Sequence, residues 1–211
     1  MKIGILGSGE VGFRLAEGLS RHGHEVMLGS RNPEQERIQK WSESSGVKTG
    51  SLSQTSEFGE LIILATAWSG TENAIQLAGP KNFAGKVVID VTNPLAPGPD
   101  GPKLAIGHTD SGGEQVQRWL PDAKVVKCFS IVAAKLMIDP ELPGGPPDML
   151  YCGNDEGAKR TVEELLRSVG WGTIDLGGIE SSRYLEPMAM AWIVHGIRTN
   201  TWTHAFKLLK G

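Results

Sequence analysis

The 211-residue chain carries 21 Lys and Arg against 24 Asp and Glu, a net charge of −3 with a pI near 6.0. That balance gives no electrostatic case for nucleic acid or an anionic membrane as partner, and the longest apolar run, Leu61 to Trp68, falls far short of the ~18 residues of a membrane span. The two cysteines, Cys128 and Cys152, lie in strand-like runs, which excludes a disulfide framework, and the five histidines are not spaced as a metal site.

The first element is a short apolar strand, Ile3 to Leu6. It begins with the chain, so no cleavable leader is expected before it, and the cytoplasm is the expected compartment. Gly7-Ser8-Gly9-Glu10-Val11-Gly12 follows at once, and Val11, Leu15 and Leu19 then recur at helical spacing up to His22-Gly23. Strand, glycine turn and helix in this order form the dinucleotide fingerprint. Gly7 makes the tight turn, Gly9 lets backbone approach a pyrophosphate, and Gly12 lets helix pack closely on strand. The helix N-terminus offers its free N–H groups to the phosphates.

A second strand runs from His24 to the tip Ser30-Arg31-Asn32. A site for NAD places a carboxylate there to hold the ribose 2′-hydroxyl. A guanidinium and a hydroxyl instead suit a 2′-phosphate, so NADP is the expected cofactor. Glu34 and Glu36 are expected inside the next helix, Pro33 to Trp41, beyond the strand tip.

Val47 to Ser51 reads as a third strand. Leu61 to Ala65 is an unalternating, doubly covered strand whose tip, Thr66-Ala67-Trp68, faces the cofactor. A helix over roughly Gly70 to Leu77 leads to the strand Val87 to Val91, closed by Thr92-Asn93-Pro94. The alternation predicts an α/β fold, a doubly wound, mostly parallel Rossmann sheet over residues 1–178. From Pro94 to Gly113 four prolines and five glycines predict a long irregular loop at the ligand-binding end of the sheet. A helix from Ser111 to Leu120, strands over Lys124 to Phe129 and Asp148 to Gly153, a helix capped by Asn154 and Asp155, and a last strand, Thr173 to Leu176, complete the pattern.

Residues 179–211 are expected to form a helical appendage packed on the sheet, with Leu185, Met188, Trp192, Trp202, Phe206 and Leu209 on one stripe from Ile179 to Leu209. Ile193, Ile197 and Ala205 leave apolar surface on a neighbouring face, which predicts a homodimer.

Six segments together resemble one family: Gly7 to Gly12, Gly29-Ser30-Arg31, Val91 to Pro94, Val126 to Ile131, Cys152 to Asp155, and Ser182-Arg183-Tyr184-Leu185-Glu186. It is the NADPH-dependent deazaflavin coenzyme reductases, whose domain is also similar to the cytoplasmic part of six-helix metalloreductases. The resemblance implies that Ser30 and Arg31 hold the 2′-phosphate and Gly9 to Val11 the pyrophosphate. It implies that Ala65, Thr66 and Asn93 line the path to the nicotinamide, and that Ser130, Ile131, Val132 and Ala133 lie beside two stacked rings. The hydride acceptor it implies is a deazaflavin (coenzyme F420) or a flavin.

Hydride transfer between such rings needs no protein acid or base, so no catalytic side chain is expected. Two rivals stand beside this reading. A reductase of a small carbonyl or imine would use His108 or His195 as an acid, and a non-catalytic NADP sensor would bind without turnover.

Overall fold

A computed structural model describes residues 1–99, 101–209 and 211. The chain runs β1 (Lys2–Leu6), α1 (Glu10–Arg21), β2 (Glu25–Ser30), α2 (Glu36–Ser45), β3 (Lys48–Ser51), α3 (Leu52–Phe58), β4 (Leu61–Leu64), α4 (Trp68–Ala78) and β5 (Val87–Asp90). A hairpin of β6 (Leu95–Ala96) and β7 (Lys103–Leu104) precedes α5 (Gly112–Trp119) and β8 (Lys124–Lys127). Then come β9 (Asp148–Gly153), α6 (Glu156–Ser168), β10 (Gly172–Asp175) and α7 (Ser182–Thr199).

Eight strands form one sheet in the order β10-β9-β8-β5-β4-β1-β2-β3. Every pairing is parallel except β8 with β9. Successive side chains of the central strands enter two separate cores, as a pleated sheet covered on both faces requires. Ile3, Ile5, Leu61 and Ile63 pack with α1 and α6, whereas Leu6, Ile62 and Leu64 pack with α4 and α5. The expected doubly wound, mostly parallel sheet is what the chain forms.

Several boundaries differ from the sequence expectation. Pro33 and Glu34 lie in the turn before α2, and Glu36 is its first residue. The helix α3 was not expected. Its signal is a capping box, in which the Ser51 hydroxyl accepts the Gln54 N–H at 3.2 Å and the Gln54 side chain accepts the Ser51 N–H at 2.9 Å. Asp155 caps α6 by its side chain accepting the Ala158 N–H at 2.8 Å, while Asn154 Oδ1 accepts the Ile179 N–H at 2.9 Å. The long loop is not wholly irregular, since it holds the β6–β7 hairpin.

The largest correction is at the C-terminus. The helix stops at Thr199, Asn200 takes a left-handed turn with φ 51°, and residues 201–209 fold back without regular structure. The Trp192 indole donates to the His204 carbonyl at 2.9 Å, and the Trp192 and Trp202 rings lie 5.5 Å apart. The Phe206 carbonyl accepts the Asp148 N–H at 2.9 Å, at the head of β9. Trp202, Phe206 and Leu209 are therefore not on the α7 stripe, and Ala205 is not on its neighbouring face. Periodicity suggested a longer helix because a folded-back tail can place apolar residues at helical intervals by coincidence.

Candidate functional site

A cleft of about 700 Å³ opens where β1, β2 and β4 end. It lies at the point where the strand order reverses, the place where a doubly wound sheet receives a ligand. Gly7 sits at φ 131°, and a Cβ there would meet the Ala65 carbonyl oxygen at 2.3 Å. A Cβ on Gly12 would meet the Gly7 carbonyl oxygen at 1.8 Å. Gly9 differs from both, since a Cβ on it would meet nothing within 4 Å. Gly9 caps α1 and lines the cleft, so its bareness leaves room for a ligand at the helix N-terminus.

At the β2 tip the Ser30 hydroxyl accepts from the Ser8 hydroxyl and from the Asn32 N–H, each at 3.2 Å. Arg31 and Arg37 both line the cleft and are solvent-exposed. The Arg37 guanidinium donates to the Ser8 carbonyl at 2.8 Å and lies over the Phe13 ring, 4.9 Å from its centre. Among the described residues no Asp or Glu lines the cleft. Two guanidinium groups, two hydroxyls and no carboxylate fit a 2′-phosphate and not a free ribose edge.

Of the residues expected from the sequence, Gly7, Ser8, Gly9, Ser30, Arg31, Asn32, Ala65, Thr66 and Ala67 line this cleft. Glu10, Val11 and Gly12 occupy the first turn of α1 behind it. Asn93, Pro94, Ser130, Ile131 and Ala133 lie past the tips of the adjacent strands β5 and β8, outside its lining. There Asn93 Nδ2 donates to the Ser130 carbonyl at 2.8 Å, whereas Asn93 Oδ1 and Ser130 Oγ are buried without a partner. Phe129, 2% exposed, sits at φ 59°, a conformation that bulky residues rarely adopt. His108 and His195 are exposed and do not line the cleft.

Sequence reasoning missed Arg37, which precedes the buried Ile38 on α2 and reaches back to the Ser8 turn at the edge of the cleft. It also missed a buried charge cluster beyond the β5 and β8 tips. Lys127, with no exposed side-chain surface, donates to Asp90 Oδ2 at 2.9 Å and to the Thr92 carbonyl, and lies 3.1 Å from Glu186 Oε1. Burial acts to discharge this ammonium, yet the Asp90 and Glu186 carboxylates outweigh it and raise the pKa. Glu186 in turn accepts the first N–H groups of α5, from Gly112 and Gly113, each at 3.0 Å. Its neighbour Arg183 forks onto Glu114 of the same helix at 2.9 and 2.5 Å.

Residues 2–94 match the family model for coenzyme F420-dependent NADP oxidoreductases. The F420-dependent NADP reductase of Methanocaldococcus jannaschii is 32% identical over 88% of this chain and 88% of its own length. Metalloreductase STEAP3 of Rattus norvegicus is 32% identical over 90% of this chain, which spans 36% of that larger protein. A crystal structure from Arthrobacter sp. FB24, provisionally named an F420-dependent NADP-reductase, superposes with a TM-score of 0.95 at 36% identity, covering 100% of both chains.

Proposed function

The chain belongs to the coenzyme F420-dependent NADP oxidoreductase family, and from that premise we propose that it passes a hydride between NADPH and a deazaflavin ring. The chain is an NADP(H)-dependent oxidoreductase, as its F420-dependent NADP reductase relative is; the deazaflavin as its acceptor is the proposal. The observation that carries the cofactor choice is the carboxylate-free end of the cleft, flanked by Arg31 and Arg37.

The residues divide the work. Ser8, Ser30, Arg31 and Arg37 hold the 2′-phosphate, and the α1 N-terminus behind Gly9 holds the pyrophosphate. The Ala65-Thr66-Ala67 tip is kept in place by the bond between the Thr66 and Thr71 hydroxyls at 2.9 Å, and by Thr71 donating to the Ala67 carbonyl at 3.1 Å. That rigid tip and the buried ends of β5 and β8 position two rings and exclude water. No side chain is asked to move a proton at the reacting carbon.

The test is NADPH oxidation against F420, FMN, FAD and a set of small carbonyls and imines. F420 should support turnover well above the rest. Turnover confined to carbonyls or imines would overturn the deazaflavin reading, and tight NADPH binding without any turnover would make the protein a sensor.

We also infer a homodimer in the cytoplasm. Val194 and Ile197 remain 46% and 50% exposed on α7, and Trp202 beside them 37%. Cys128 and Cys152 are free, buried thiols, as a reducing compartment allows. Among the described residues no helix is long and apolar enough to cross a membrane. Light scattering should give twice the 22.6 kDa chain mass, and a fully active monomer would remove the dimer.

A further inference from the structure

Two distant parts of the chain meet on the buried ammonium of Lys127. Asp90 and the Thr92 carbonyl come from the end of β5, and Glu186 from α7. Asp90 and Lys127 are register partners on neighbouring parallel strands, so their side chains leave the sheet on the same face. Asp90 turns its other oxygen to the Thr92 N–H at 2.9 Å and the Thr92 hydroxyl at 2.7 Å. The Thr92 backbone is thus held on both sides of its Cα, at the N–H by Asp90 and at the carbonyl by Lys127. The next residue, Asn93, crosses to the Ser130 carbonyl at 2.8 Å. On the far side Glu186 carries the same cluster to the first turn of α5.

Stability does not account for this arrangement. A buried ion pair is commonly no better than apolar side chains of similar volume. An apolar residue at 127 could fill the space, but it could not hold one carbonyl and two carboxylates in a single geometry. The tip just beyond Lys127 also carries features that cost free energy: the left-handed Phe129 and the unpartnered Asn93 Oδ1 and Ser130 Oγ. Such features persist only where the surroundings over-determine the backbone, and they cluster at functional sites.

We propose that Lys127 is a positioning residue that sets the Thr92–Asn93 and Ser130 strand tips against α5 and α7. It thereby fixes the place of the nicotinamide, past the tips of β5 and β8 and next to the cleft, independently of the phosphate end. The proposal rests on the NADP reading above and adds the residues that order its reacting half. The phosphate end is built from Ser8, Ser30, Arg31 and Arg37, which share no hydrogen bond with the cluster.

The test separates the two ends. The triple variant Asp90→Asn, Lys127→Met, Glu186→Gln removes the charges together, so no lone charge stays buried. Adenosine 2′,5′-bisphosphate reaches only the phosphate end and should bind it as it binds the parent. NADPH should bind more weakly, and kcat should fall by about 10²-fold, the scale of a misplacement near 1 Å. Asn93→Ala leaves the cluster in place and should show the same split, which keeps the test informative if the triple variant does not fold. Parallel losses for bisphosphate and NADPH, or NADPH affinity and kcat within about twofold of the parent in Asn93→Ala, overturn the proposal. A parent protein that binds no bisphosphate would instead remove the NADP reading itself.

Discussion

Gly9→Val is expected to fold almost as the parent does and to lose NADPH binding by roughly 10³-fold or more. The backbone at Gly9, φ −90° and ψ −176°, is extended and suits a β-branched residue. A new Cβ there meets no protein atom within 4 Å, so the folded state has no clash to absorb. The side chain would enter the space over the α1 N-terminus that the pyrophosphate needs. Two charge-assisted bonds lost at roughly 2 kcal/mol each amount to about 4 kcal/mol, or 10³-fold. Gly12→Val is the control with the opposite signature, because its Cβ would sit 1.8 Å from the Gly7 carbonyl oxygen. Overpacking against backbone that cannot retreat should cost about 3 kcal/mol or more in folding. Thermal melts and fluorescence titration separate the two, and a Gly9→Val protein with parental NADPH affinity would refute the assignment.

Arg31→Ala combined with Arg37→Ala should erase the preference for NADPH over NADH. Each guanidinium bonded to a phosphate is worth roughly 1.5–3 kcal/mol, which for two residues spans about 10²- to 10⁴-fold. Both side chains are exposed, and salt screens exposed charges, so the lower end applies at physiological ionic strength. NADH carries no 2′-phosphate, and its affinity should stay nearly constant. Arg37→Ala alone should also loosen the Ser8 turn, since its guanidinium donates to the Ser8 carbonyl at 2.8 Å. Titrations of Arg31→Ala, Arg37→Ala and the double variant with both cofactors decide the matter. Equal losses for NADPH and NADH would point to a damaged turn and not to a lost phosphate site.

What the sequence made legible was local or strictly periodic. The fingerprint from Gly7 to Gly12 names its own structure because each glycine stands at a fixed step from a strand and a helix. Leu61 to Leu64 declared itself a covered strand through four consecutive buried apolar residues. The helix α3 escaped notice because it is short and presents only Leu52, Thr55 and Ser56 inward, too polar a face for a hydrophobic stripe. Lys127 carried no signal of its own, being one charged residue inside the strand expected from Lys124 to Phe129. Its partners Asp90 and Glu186 stand 37 and 59 positions away, and only strand order and the course of α7 bring them together. Arg37 was hidden for a related reason: its place in the site depends on where α2 begins, and that start falls three residues later than Pro33 suggests. The tail shows the opposite failure, with apolar spacing that imitates a helix through Trp202 and Phe206 while the chain has already turned back at Asn200.

The strand order β10-β9-β8-β5-β4-β1-β2-β3 also fixes a sequence of events during synthesis. The first five strands of this stretch to be made are five neighbours in space, so the strands of the half-sheet that carries the glycine turn are all present by Asp90. Until β8 is made, β5 is its raw border, with Val88 and Ile89 lying between unpaired backbone groups. Between Asp90 and Lys124 the ribosome adds α5 and the proline- and glycine-rich loop, whose two short strands pair with each other and not with that border in the finished fold. The nascent chain is most open to wrong strand partners in this interval.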